Sequence, residues 1–399
     1  MDRLRLSRTE GVGPVTYRRL LRRYPSAAQA LDALPGLAKA GGRATQPVTP
    51  TAASLRREID QLHRLGARLL FLDTPDYPPL LALLDDAPPV IAVLGDLGCL
   101  QSRAVALVGA RNASANGQRM AETLARELAA AGLVVVSGLA RGIDAAAHRG
   151  ALAAGPNGRT PDGRTPDGRT IAAIAGGLDI PYPPEHDDLQ ARIAEGGAVV
   201  AEAPLGTAPQ ARHFPRRNRL IAGLSLGVVV VEAALRSGSL ITARLAQEHG
   251  REVFAIPGSP LDPRARGSND LIRQGAHLTE TVADVLANLP DHPSRQGLSR
   301  DPLFAEGRNS DPAFATRPGR PGQFSEPEPA PAEPVESPAD LRKARAQILE
   351  LLGPSPSSVD DLVRRCQFSA SAVMAVLLEL ELAGRVESLP GNRVALLSD

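Results

Sequence analysis

Tryptophan is absent from this chain of 399 residues, and the only rings besides histidine are 7 Phe and 4 Tyr. A stacking platform for nucleobases would have to rest on very few of them, so an aromatic set among cations is informative. The two cysteines, Cys99 and Cys366, stand far apart with no CxxC or Cys/His spacing. That argues against a disulfide framework and a zinc site, and predicts buried free thiols. No carboxylates show metal-ligand spacing, so neither metal nor cofactor is expected. Lysine occurs only at Lys39 and Lys343, which leaves arginine as nearly all of the positive charge. The net charge of +1 excludes bulk attraction to a polyanion, so any such site must be a local patch. No run approaches the ~20 apolar residues of a membrane span. The opening MDRLRLSRTEGVGP also lacks a signal-peptide core, and a cytoplasmic location is expected.

What is present divides into four segments: 1–53, 54–289, 290–340 and 341–399. In the first, GVGPVTYRRLLRRY and SAAQALDAL read as short helices, with Ser26 as an N-cap, in a small SAM-like or helix-hairpin-helix domain. After a helix over 54–66, ARLLFLDTPDYPPLL and PPVIAVLGD read as an entry to the main domain. Apolar strands then alternate with amphipathic helices: AVALVGA, LVVVSG, TIAAIAGG, AVVAEA, LGVVVVEA and EVFAIPG, with helices over 117–131, 142–154, 185–195 and 239–249. This pattern predicts an α/β fold, a Rossmann-like doubly wound parallel sheet with ligands beyond its carboxyl edge. The duplicated GRTPD at 158–162 and 163–167 reads as a surface insert without chemistry, and the Pro-rich acidic 290–340 as a disordered linker. Three helices and a two-stranded turn then predict a winged helix, with Ser357 and Ser369 as N-caps. Its third helix carries Glu379 and Glu381 where a groove reader should be polar or basic, so protein contact is as plausible there as DNA contact.

The functional signal lies at the strand ends. Dinucleotide binding would need GxGxxG after the first strand and ATP hydrolysis a P-loop lysine; neither is present. The first strand ends instead in Gly109, Arg111 and Ser114, and the second in Ser137, Gly138 and Arg141, turns whose amides and arginines suit an anion. The segment HFPRRNRLIAGLS sets Arg212, Arg216, Arg217 and Arg219 around Phe214 just before a strand. Ser237, Gly238 and Ser239 then open a helix, and together these segments read as a polyanion site, most simply single-stranded nucleic acid. Asp144 and His148, one helical turn apart, could be drawn as an acid/base pair, but a helix-start aspartate beside a hydrogen-bonded histidine is the simpler reading. No nucleophile elbow is present, and no catalytic residue is assigned.

VGARNAS, SGLARGIDAAAH, TIAAIAGGLDIPYP, HFPRRNRLIAGLS, SGSLITARLAQEHGREVFAIPG and GSNDLIRQGA together resemble the DNA-processing protein A family, also called Smf. The resemblance covers about half the chain, and the flanking SAM-like and winged-helix segments fit it. The departures are the GRTPD insert, a longer linker, and Ala173 and Ala175 before Gly176. The resemblance implies a non-enzymatic protein of natural transformation that binds and protects incoming single-stranded DNA. It also implies loading of the RecA recombinase, displacement of single-stranded-DNA-binding protein, and homodimers formed through roughly 271–286. By the family's pattern, Arg111, Phe214, Asn218 and Arg219 would lie in the DNA pocket, with Ser137, Gly138, Ser237, Gly238 and Ser239 facing phosphates; Arg212 is added on charge alone.

The main rival is a phosphoribohydrolase-like enzyme on the same scaffold. Such enzymes use a PGGxGTxxE loop, whereas VEAALRSGSLITA has no Gly-Gly turn and no carboxylate after the threonine. A winged-helix regulator of duplex DNA is a further alternative, weakened by the acidic third helix.

Overall fold

The structure, a computed structural model, describes residues 1–154, 169–290, 338–389 and 392–397, apart from 354 and 367. Both GRTPD copies, and all but the ends of the linker expected over 290–340, lie outside the described residues. The chain forms two compact bodies, Met1–Thr9 with Thr49–Ser294, and Glu10–Val48 with Arg295–Asp399.

The first body begins with helix α1 (Asp2–Ser7) and resumes with α4 (Ala52–Arg64). Leu4 of α1 packs with Leu55 of α4 and with Val90, which ties the first residues to the sheet domain. The expected 1–53 unit is thus distributed over both bodies. A nine-stranded sheet follows: β1 (Arg68–Phe71), β2 (Val90–Gly95), β3 (Ala104–Val108), β4 (Val134–Ser137), β5 (Thr170–Ile174), β6 (Ala198–Ala201), β7 (Gly227–Val230), β8 (Glu252–Ala255) and β9 (His277–Leu278), in the order β1-β2-β6-β5-β4-β3-β7-β8-β9. From β6 to β9 all neighbours pair in parallel. The entry segment proves to be sheet: β2 pairs antiparallel with both β1 and β6, extending one edge.

Helices α6 (Ala115–Ala130), α7 (Ile143–Leu152), α8 (Asp187–Gly196), α9 (His213–Gly223), α10 (Ser239–Glu248), α11 (Arg266–Arg273) and α12 (Val282–Asn288) complete this body, with the short α5 (Pro79–Ala82). Strands β3 to β7 are buried at every position, because each apolar run must meet covering residues on both faces. One cluster joins Val105, Val135 and Val229 to Leu124 and Leu128 of α6 and Ala147 of α7. Another joins Ala172 and Val199 to Leu189 and Ile193 of α8. The chain runs β3 to β6 across one half of the sheet and returns to place β7 on the other side of β3. Such a reversal opens a crevice beyond the carboxyl ends.

The second body contains α2 (Pro14–Arg23), α3 (Ala27–Ala40) and helices Pro338–Leu351, Val359–Arg365 and Ala370–Leu382, with strands Ser357–Ser358, Val386–Leu389 and Arg393–Leu396 in one small antiparallel sheet. This is the winged helix with an added helical hairpin. Ser26 and Ser369 cap as expected, accepting from the amides of Gln29 and Ala372. Ser357 does not cap: it pairs with Val394 in the sheet, and Ser358 stands at the N-cap position without a capping bond. Cys99 and Cys366 are free and buried, and burial pushes the Cys99 thiol up to about 12. Among the described residues no helix is long and apolar enough to cross a membrane.

Gly142 lets the turns after β3 and β4 meet. Its φ is +73°, and a Cβ there would lie 2.3 Å from the Ala110 carbonyl oxygen. Gly142→Ala should therefore cost about 1–3 kcal/mol or more in urea denaturation. A loss below about 0.5 kcal/mol, the range of a bland surface change, would show that the two turns are not pressed together.

Candidate nucleic-acid interface

The arginine segment is itself helical. Its residues open α9, and Pro215 is tolerated because the first amides of a helix have no intrahelical partner. By sequence alone this stretch reads as a lead-in to a strand. Helical spacing instead sets Phe214, Arg217 and Ile221 along one stripe, and all three line a cleft of about 840 Å³ at the carboxyl edge of the sheet.

Arg217 is the cleft's buried cation. Its side chain is 6% exposed and lies 3.8 Å from the Asp144 carboxylate, itself 8% exposed on the first turn of α7. Nη1 also donates to the Ala173 carbonyl of β5 at 3.3 Å. The guanidinium occupies the space above Gly138, where a Cβ would fall 1.3 Å from Nη1. Gly138 thus serves close approach of a side chain, not only of a ligand. Burial pushes the Asp144 carboxyl above its usual range, and Arg217 opposes that shift. His148 bonds Thr170, not Asp144. It is fully buried, and its Nδ1 donates to Thr170 Oγ1 at 2.8 Å, since that hydroxyl donates to Val135. Burial, then the Arg217 charge, lower its pKa to about 3.

Phe214 is already covered in part. The Arg111 guanidinium carbon sits 4.8 Å from its ring centroid, Arg217 lies at 5.9 Å, and the Tyr182 ring is 5.6 Å away, inclined by 58°. Tyr182 is 46% exposed and therefore offers more free ring surface. Beside these rings a small inner pocket of about 70 Å³ is lined by Gly138, Arg141, Gly176, Tyr182, Phe214 and Arg217. At the opposite end of the cleft, Ser237, Gly238 and Ser239 open α10, with Ser237 Oγ and Ser239 Oγ 2.7 Å apart. Asn218 Nδ2 donates to the Gly238 carbonyl at 3.3 Å, so its role here is to hold that turn.

The structure therefore gathers Gly109, Arg111, Phe214, Asn218, Ser237, Gly238 and Ser239 in the cleft, and Gly138 and Arg141 around its inner pocket. Arg141 extends from the rim to pair with Glu185. Five other expected residues lie outside the lining. Ser114 caps α6, accepting from the Gly117 amide at 2.9 Å, while its own amide donates to Glu232. Ser137 is fully buried and donates to the Leu107 carbonyl at 2.6 Å. Arg212 and Arg216 are exposed next to the cleft. Arg219 is 7% exposed and binds the Asp86 carbonyl and the Glu202 carboxylate. The helix turns Arg219 away from Phe214 and Arg217, outside the cleft lining. Sequence reasoning missed Tyr182 and Arg236, and named Arg217 without assigning it a role. An i, i+3 spacing from Phe214 would have flagged Arg217; Tyr182 carries no local signal beyond being aromatic within a quoted motif.

Three family models match the chain: one described as DNA recombination-mediator protein A over residues 68–290, a DprA-like N-terminal HHH domain over 1–60, and a DprA winged helix domain over 328–392. The chain is similar to Protein Smf of Escherichia coli (strain K12), 37% identical over 351 residues, covering 86% of this chain and 81% of that one. It is also similar to the DNA processing protein DprA of Streptococcus pneumoniae, 46% identical over 211 residues, covering 53% and 70%. The X-ray structure of DNA processing protein A from Streptococcus pneumoniae aligns with a TM-score of 0.58 at 36% identity, over 73% of this chain and 97% of that one.

Arg217→Ala should leave the Asp144 carboxylate buried without its cation, a loss of about 3–5 kcal/mol in denaturant at neutral pH. The deficit should shrink as pH falls, because burial raises the Asp144 pKa and the protonated carboxyl needs no partner. A variant equally destabilised at all pH values would mean that Arg217 acts by packing alone.

Proposed function

The chain belongs to the DNA recombination-mediator protein A family, and from that premise we propose that the cleft holds single-stranded DNA. The observation that carries this reading is the assembly of Arg111, Phe214, Arg217 and Tyr182 facing the N-terminal turn of α10. Helix amides and arginine forks suit phosphates, and the rings suit bases that are not already stacked in a duplex. Exposed Arg236 lines the cleft without a carboxylate partner among the described ion pairs and remains available to a phosphate.

The role that follows is mediation of recombination during natural transformation. The protein protects an incoming strand, displaces single-stranded-DNA-binding protein and helps load RecA in the cytoplasm, without catalysing a covalent step. The non-enzymatic reading is supported by the state of the titratable groups: His148 is neutral and buried, Glu232 accepts the Ser114 amide, and Asp144 faces Arg217. A homodimer through 271–286 is supported by Leu278 and Leu286, apolar side chains 53% and 40% exposed. The phosphoribohydrolase alternative has no equivalent support, because Leu245 stands three residues after Thr242, where the GTxxE pattern would place its glutamate.

Titration with single-stranded and duplex DNA of equal length over a range of salt tests the proposal. Single strands should bind more tightly, with log K falling linearly in log salt. Arg111→Ala should weaken all sequences alike and lower the salt slope by about one. Tyr182→Ala should cost about 1–3 kcal/mol of binding at an unchanged slope. Equal affinity for duplex, or release of base or phosphate from nucleoside monophosphates, would reject the reading.

The ion-paired position of Arg219 outside the cleft lining gives a separate expectation. Arg219→Ala should lower thermal stability by removing the partner of Glu202, yet keep the salt slope of the parent. A slope reduced as for Arg111→Ala would return Arg219 to the DNA contact.

A further inference from the structure

The helix Ala370–Leu382 occupies the third-helix position of the winged helix, where such folds commonly place a groove-reading surface. Its sequence ASAVMAVLLELEL is apolar almost all round, and a helix of that kind must be covered on more than one side. Val373, Val376, Leu377 and Leu380 supply one stripe, packed into the winged-helix core with Ile348 and Val394. Leu378 and Leu382 lie on the opposite side of the helix and are 2% and 0% exposed. That side meets α2 and α3.

Polar contacts lock the same surface. Arg19 of α2 binds Glu381 at 3.2 Å, with the two side chains only 10% and 13% exposed, and reaches Ser388 Oγ at 3.3 Å. Arg43 donates to the Leu382 carbonyl at 3.5 Å. Gly41, at the end of α3, lies against the Glu379 backbone, where a Cβ would stand 1.9 Å from the carbonyl oxygen. The Glu379 side chain is held by Arg345. Both carboxylates that make this helix look unfit for DNA are therefore partners of arginines within the same body.

We propose that the third helix of the winged helix does not read DNA but serves as the internal docking surface for the chain's own N-terminal hairpin, joining two segments more than 300 residues apart into one cooperative clasp. The hairpin and the winged helix then open together, and DNA contact by the protein does not pass through the Ala370–Leu382 surface. This inference stands independently of the cleft.

The full chain tests it through charge exchange. Arg19→Glu and Glu381→Arg should each speed hydrogen exchange about tenfold or more in both segments, 14–40 and 370–382, and the double variant should restore most of the protection. Faster exchange confined to the mutated segment, or no recovery in the double variant, would overturn the clasp. If a single variant fails to fold, exchange on the unmodified chain in rising denaturant decides: the two segments should open at the same denaturant concentration, and separate openings would reject the proposal. A gain of tenfold or more in duplex affinity in the protected double variant would show that the helix does read DNA. Mixing the two single variants should give no recovery; recovery would assign the hairpin to a second copy and overturn docking within one chain.

Discussion

The buried pair of Arg217 and Asp144 is the constraint around which the carboxyl edge of the sheet is arranged. An arginine below a tenth exposure needs a carboxylate, and this one also bonds the Ala173 carbonyl of β5. Its position requires a glycine at 138, because only a residue without Cβ leaves room for the guanidinium. From the same helical turn Phe214 projects into the cleft, so the aromatic is placed by the ion pair beneath it. Loss of either charge would leave the other unpaired in a poorly solvated site.

This arrangement divides the arginines by task. Arg217 and Arg219 are anchored by ion pairs to Asp144 and to Glu202. Arg111 lies over Phe214, and Arg236 is exposed on the cleft wall, and neither has a carboxylate partner among the described ion pairs. A chain with a net charge of +1 and little lysine can thereby hold a local positive groove without becoming generally adhesive to polyanions.

Much of the fold was legible in the sequence because continuous apolar strands alternating with amphipathic helices admit few architectures. The six strands from AVALVGA to EVFAIPG all appear as read. The two strands β1 and β2 did not announce themselves: they form the antiparallel edge, and their Pro-rich surroundings resemble a connector. The helix α9 was obscured because proline and three arginines dominate its opening turns. Its helical stripe is clear only once Phe214, Arg217 and Ile221 are seen to face one cleft.

The types of residue available to the interface, the strand-end turns that hold it, and the presence of a winged helix were determined by the sequence alone. These follow from local pattern, which depends on neighbours within a turn or a strand. Only the tertiary structure decided which arginines are neutralised, since Glu202 and Asp86 reach Arg219 from distant segments. It likewise decided that Tyr182 joins Phe214, and that Glu381 faces Arg19 across more than 300 residues of sequence. Pairings of that range are set by how the packed elements bring charges together, and no periodicity within one segment encodes them.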